Sequence, residues 1–268
     1  MSSTKDTTDT NNSNNNNIGM SDIGKKENNS SKTGAGNSLD DKYWREKIEV
    51  SSARSRKVRG GNYVQLATVD PQTLEPRCRT VVFRGFLQTP NDNNNKDQTN
   101  QKKSCIMKMI TDARSNKVAE VTNHNNQNQT TGTATTAEMV WWFSKSSEQY
   151  RIRGSLVFIG AETSNHDEED EESKFLSMAR KQQWGNLSDM AREQFYWNDP
   201  GMPYENEATV PTGGRDENGT VLPPPDNFLL MLLYPNRVDY LRLTDNFHQI
   251  DQLVSHESDE WTFERVNP

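Results

Sequence analysis

From Asn62 onward, apolar residues recur at every second position in short runs, and that period commits most of the chain to sheet. Asn62–Asp70 (NYVQLATVD) alternates and stops at an Asp-Pro turn. Arg77–Leu87 (RCRTVVFRGFL) answers it across a turn containing Pro71 and Pro76, which predicts a hairpin. Ser104–Thr111 predicts a third strand, and Glu138–Phe143 with Gln149–Ile159 a further pair. Phe228–Tyr234, Val238–Leu243, Phe247–Leu253 and Trp261–Val266 predict four closing strands. Helical patterns are few: Asp40–Arg56 offering Tyr43, Trp44 and Ile48 for burial, about Ser115 to Val121, and Glu171–Trp197 broken near Gly185. Strands in succession, without regular β-α alternation, predict a mainly β chain with helical additions (α+β) built as an antiparallel barrel.

Hydrophobic residues make up only 31% of the chain, and the deficit is uneven. Residues 1–39 are almost all Ser, Thr, Asn, Gly, Asp and Lys, and cannot bury enough surface to offset ordering entropy. They predict a disordered low-complexity tail ahead of a single folded domain over 40–268. Polar loop inserts near 89–103, 123–136 and 163–172 interrupt that domain. Asp167–Glu172 (DEEDEE) carries six of the acidic groups behind the net charge of -7, so the remainder is close to neutral. With no broad basic surface, nucleic acid is not an expected partner. No apolar stretch reaches spanning length, and Met1–Met20 lacks the apolar core of a secretory signal. No membrane partner is expected, and a cytoplasmic protein is. Cys78 and Cys105 lack metal-ligand spacing, as do His124, His166, His248 and His256, which predicts no metal site.

Three segments could carry chemistry. In RTVVFRG (Arg79–Gly85) two guanidiniums flank an apolar strand, on opposite faces unless Gly85 bends the chain. That arrangement suits a ligand with a flat body and an anionic end, though two rim arginines would read the same way. In ITDARSNKVAEV (Ile110–Val121) a strand ends, a polar turn follows and a helix begins near Ser115. Unpaired N–H groups at a helix start attract phosphate, with Ser115 and Lys117 adding a hydroxyl and a charge; simple helix capping fits equally. In WWFSKSSEQYRIRG (Trp141–Gly154) alternation sets Gln149, Arg151 and Arg153 on one face and Tyr150 and Ile152 on the other. Trp141 and Trp142 face opposite ways, so one should be buried. Anion-binding groups without an evident acid/base pair point to a cofactor that carries its own reactivity.

In these segments the sequence resembles the pyridoxamine 5'-phosphate oxidase-like family of FMN-binding split β-barrels. QLATV (Gln65–Val69), W-x-x-LS-x-x-AR (Trp184–Arg192), PPPDNF (Pro223–Phe228) and PNRVDYLRL (Pro235–Leu243) extend the resemblance in order along the chain. It implies an antiparallel split β-barrel, bound FMN, a small-molecule substrate and a homodimer with two flavins at its interface. The family's flavin strand falls on Arg79, Thr80, Val81, Val82, Phe83 and Arg84, with Arg84 in place of a Lys. Its phosphate turn falls on Ile110, Thr111, Ser115, Asn116 and Lys117; Asn116 replaces an Arg, for which Arg114 is the nearby substitute. The flavin-contacting Gln falls on Gln149, and Ser188 matches a second-subunit contact less closely. The resemblance thus assigns Arg79, Thr80, Val81, Val82, Arg84, Thr111, Ser115, Lys117 and Gln149 to FMN. The family's substrate-phosphate residues are not reproduced: Phe175, Ala179, Arg180 and Gln183 stand on the corresponding helix, and Leu241, His248 and Gln249 in the C-terminal elements. The implied activity is an FMN-dependent oxidoreductase of unspecified substrate. The alternatives are a non-catalytic flavin or tetrapyrrole binder, or an interaction module.

Overall fold

The computed structural model describes residues 39–88, 103–127, 136–161, 171–205, 210–255 and 259–268. The predicted tail over residues 1–39, apart from its last residue, and most of each of the three predicted inserts lie outside the described residues. The described chain belongs to one unit, Asn37–Pro268. Its elements run α1 (Trp44–Ser55), β1 (Tyr63–Val69), β2 (Pro76–Val82), β3 (Met107–Asp112), α2 (Asn116–Gln127), β4 (Ala137–Phe143) and β5 (Glu148–Ile159). They continue through α3 (Glu171–Gly185), α4 (Asp189–Glu193), β6 (Phe228–Arg242), β7 (Phe247–Ser255) and β8 (Glu260–Val266).

All strand pairs are antiparallel, in the order β2-β1-β4-β5-β6-β7-β8, with β3 added to β6. Directly opposed residues share a face, so the register Val81–Val64 and Trp141–Tyr150–Tyr240 builds one side of the core row by row. Met107, Met109, Ile152 and Val238 extend it, and α1 closes it through Trp44 and Ile48. Trp44 is fixed there by its backbone N–H, which donates to Asp251 Oδ1 at 2.9 Å, and by its indole against Trp261.

The segment FLLMLL of β6 does not alternate because both its faces are covered. Met231 and Leu233 enter the main core, whereas Leu230 and Leu232 meet Phe175, Leu176 and Ala179 of α3. Burying two faces on one strand lets α3 and the turns after it pack outside the sheet, where Trp184, Leu187, Phe195 and Phe228 form a third cluster.

Two expectations are corrected. The sheet is not closed into a barrel: β2 and β8 are the ends of the paired path. β2 stops at Val82, and Gly85 then takes φ +101, outside extended geometry. The segment beyond β2 therefore meets β3 only through an isolated Phe86–Met107 bridge and neighbouring backbone bonds, not through a continuous ladder. The fold is mixed α+β with an open antiparallel sheet. The two strands expected over 228–243 are one fifteen-residue strand. Pro235, which cannot donate to a ladder, sits opposite Gly154 at a register shift, so the strand bends without ending.

Candidate functional site

A cleft of about 470 Å³ opens where the end of β2 passes the β3–α2 turn. From the β2 side it is lined by Thr80, Val81, Val82 and Arg84, and from the turn by Thr111, Ser115 and Lys117. Seven of the nine residues expected at the flavin thus share one hollow. Phe83 points the other way, its ring 4.7 Å from that of Trp141, so Val82 and Arg84 face the cleft together.

The polar end is built at the start of α2. Ser115 precedes the helix, its backbone carbonyl accepting from Val118 N–H at 3.0 Å, so the first N–H groups of α2 have no partner within the helix. Lys117 Nζ donates to Thr111 Oγ1 and to Ser115 Oγ, each at 2.9 Å. Burial lowers the Lys117 pKa, and the positive charge of Arg79 lowers it further. Two cations held this close, with the first turn of a helix beside them, create a site where an anion is favoured.

Arg79 does not line the cleft. It faces the core side of the sheet opposite Leu66, donating to Glu120 Oε2 at 2.8 Å and to the Thr68 hydroxyl. Thr68 in turn donates to the same Glu120 carboxylate at 2.5 Å. Arg79 and Lys117 are thus neighbours on either side of an internal acid. Glu120 was not among the expected residues, although its place one turn after Lys117 on α2 puts the two on one helix face.

Arg84 stands opposite in function. Its Nε is buried with no hydrogen-bond partner among the described residues, and burial lowers its pKa. An unmatched guanidinium N–H at the wall of a cleft is a ready donor for a carbonyl or phosphate oxygen. Neighbouring Lys108 also has its pKa lowered by burial.

Arg114, the nearby substitute for the Arg missing at Asn116, also lines the cleft, but its guanidinium is already paired. Its Nη2 and Nε grip Asp112 at 2.7 and 3.0 Å, and its Nη1 donates to Asp199 Oδ1 at 2.8 Å and Trp197 O at 2.9 Å. Asn227 Nδ2 adds bonds to Asp112 Oδ2 and Phe195 O. Burial alone would raise the Asp112 pKa, but these donors hold it below the usual range. Arg114 therefore staples the segment 195–199 in place. That segment brings Phe195, Trp197 and Asn198 to the cleft, residues at the end of the helical pattern Glu171–Trp197 and just past it, to which the sequence assigned no role in a site.

Gln149 also lies elsewhere. It stands on β5, three strands from β2 in the sheet order, with Trp142 and Leu241 beside it. At about 4.8 Å per strand that is roughly 14 Å from the cleft's β2 wall. It does occupy the same sheet face: Val82, Tyr63, Trp142, Gln149, Leu241 and His248 lie in register along one outer row. Tyr63 is 52% and Trp142 43% exposed, against 1% for Trp141 on the core side. His248 Nδ1 donates to Asn267 O at 3.0 Å, leaving a buried Nε2 with no partner among the described residues. On α3, Arg180 is committed to Phe228 O and Pro225 O and holds the chain entering β6. Ser188 is exposed at the start of α4, outside the cleft lining.

Residues 41–160 match the family model for the pyridoxamine 5'-phosphate oxidase FMN-binding domain. A pyridoxine/pyridoxamine 5'-phosphate oxidase 2 from Arabidopsis thaliana is 32% identical over 223 residues, spanning 82% of this chain and 92% of that protein. Among solved structures, a pyridoxamine 5'-phosphate oxidase-related FMN-binding protein from Nostoc punctiforme is 31% identical, with a TM-score of 0.61 over 85% of this chain and 98% of that one. PhzG from Burkholderia lata, solved with tetrahydrophenazine-1-carboxylic acid, shares the fold at 15% identity, with a TM-score of 0.53 over 84% of this chain and 91% of that one.

Proposed function

The chain belongs to the pyridoxamine 5'-phosphate oxidase family of FMN-binding domains, and from that membership we propose that it binds FMN in the β2/α2 cleft as a flavin-dependent oxidoreductase acting on a small molecule. One observation carries the reading: an unpartnered Arg84 N–H and a desolvated Lys117 line a single cleft whose remaining wall is largely apolar. Among the described residues, the donors there fit FMN. Lys117, Ser115, Thr111 and the first N–H groups of α2 hold the phosphate, and Arg79 adds charge from behind Glu120. Thr80, Val81 and Val82 lie along the body of the molecule, and Arg84 donates to it.

When bound, the flavin supplies two-electron redox chemistry. The protein's own residues hold it, keep water from its apolar wall through Phe195 and Trp197, and fix its polar end. Gln149, too far along the sheet to reach its own chain's cleft, acts from a second copy in a homodimer. The half-exposed row of Tyr63, Trp142 and Leu241 around it supports this, since such a face is covered in stable assemblies. The same packing would bring His248 beside the partner's flavin. Titration of the full chain with FMN, followed by visible absorbance and by mass in solution, is expected to give one flavin per chain in a dimer. A chain that takes up no FMN at micromolar concentration refutes the reading.

A further inference from the structure

Residues 82–86 border two hollows. Val82 and Arg84 face the flavin cleft, whereas Phe83 and Phe86 line a second cavity of about 580 Å³ between this segment and α1. Its wall is aromatic: the rings of Phe83 and Phe86 lie 5.1 Å apart edge to face, and Phe83 lies 4.7 Å from Trp141. Ile48 and Val58 complete the apolar lining. The Ser55 residue in the same wall is only 3% exposed, and its hydroxyl has no hydrogen-bond partner among the described residues. A buried hydroxyl without a partner destabilises the folded chain, and a bound acceptor would relieve that cost.

The mouth is positively charged. Arg56 lines it, and Arg54, Lys57 and Arg59 flank it on the same short stretch. Lys145 joins them, its Nζ donating to Arg54 O at 3.4 Å. All five are exposed, and none has an ion-pair partner among the described residues. Several other surface bases of this acidic chain are paired, as Arg77 is with Glu75 and Arg153 with Glu138, so five unpaired bases on one short stretch and its neighbour stand out as a cluster. The one acid lining the cavity, Glu49, is already taken by Arg45 at 2.8 Å and Lys103 at 2.7 Å, so it does not neutralise the mouth. The volume suits one small ligand rather than a polymer.

We propose that this cavity binds a small planar aromatic molecule carrying a single anionic group, its ring system against Phe83, Phe86 and Trp141 and its charge among Arg56 and its neighbours. The site is separate from the flavin cleft and does not depend on flavin binding. The test titrates the full chain with 1-anilinonaphthalene-8-sulfonate, with and without added FMN, and measures FMN uptake on the same samples. One saturable site with enhanced emission is expected, whether or not FMN is present. Ala53→Trp, which fills the mouth from α1, should weaken the probe at least tenfold. The surface pair Arg56→Ala/Arg59→Ala should weaken it at least fivefold with an unchanged melting temperature. The neutral N-phenyl-1-naphthylamine should bind the unaltered chain at least fivefold more weakly than the sulfonate. Should Ala53→Trp not fold, the arginine pair decides alone. Absence of enhanced emission, or equal affinity in the unaltered chain and the arginine variant, overturns the proposal.

Discussion

Lys117→Met separates the proposed phosphate contact from every other role of the cleft. The Lys117 ammonium has three protons and spends two on neutral hydroxyls, at 2.9 Å each from Thr111 and Ser115. The third is free for a phosphate oxygen. A hydrogen bond between charged partners contributes about 1.5–3 kcal/mol, which is roughly 10- to 150-fold in affinity. Methionine keeps the length and apolar character of the side chain, so the wall of the cleft stays filled. The variant should therefore bind FMN more weakly by that factor, while riboflavin, which lacks the phosphate, binds both proteins alike. Folding should not suffer. Burial depresses the Lys117 pKa, so the charged form opposes folding at neutral pH, and that opposition fades only as pH rises through the depressed value toward 10.5. Removing the charge leaves the unliganded protein at least as stable. Quenching of flavin fluorescence, titrated at fixed ionic strength, measures both affinities. An FMN affinity within threefold of the unaltered protein, or an equal loss for riboflavin, would refute the phosphate assignment.

Three further outcomes are expected. Glu120→Gln should tighten FMN severalfold in the same titration, because Arg79 loses the carboxylate 2.8 Å away that competes with phosphate; unchanged or weaker binding would mean that Glu120 instead orders the site. Gly154→Ala should destabilise the chain by about 3 kcal/mol or more in denaturant unfolding, since its new Cβ would lie 2.1 Å from the Tyr234 backbone oxygen in a paired strand that has little room to shift; a loss under 1 kcal/mol would show that the bend at Pro235 relaxes freely. Burial pushes the Asp251 carboxyl up to about 6, despite donors from Trp44 and Gln249. A raised carboxyl pKa means the folded state holds the proton longer, so stability should fall as pH rises from about 4 to 6. Asp251→Asn should flatten that part of the unfolding profile, and an unaltered slope would count against the assignment.

Local patterning was enough to place most elements. Alternation located β1, β4 and β5, and it set Trp141 and Trp142 on opposite faces, because a strand's side-chain period is fixed by its backbone; which of the two is buried came from the structure. The RTVVFR and TDARSNK segments pointed to the residues that line the cleft, since a strand end and a helix start each carry their polar groups at known offsets. Tertiary structure decided what those groups do. Pairing is a long-range choice: only the coordinates show that β6 serves β3, β5 and β7 at once, and that β2 ends at Val82, with Gly85 turning out of extended geometry beyond it, so that the sheet stays open. Charge partners are equally non-local. Arg79 is held by an acid 41 positions away, and Arg114, besides its neighbour Asp112, by one 85 positions away, so the full set of partners of neither guanidinium is written in its local sequence. The sequence carries the inventory of donors and the strands that bear them, whereas packing determines which donors remain unsatisfied, and an unsatisfied donor is what a ligand can use.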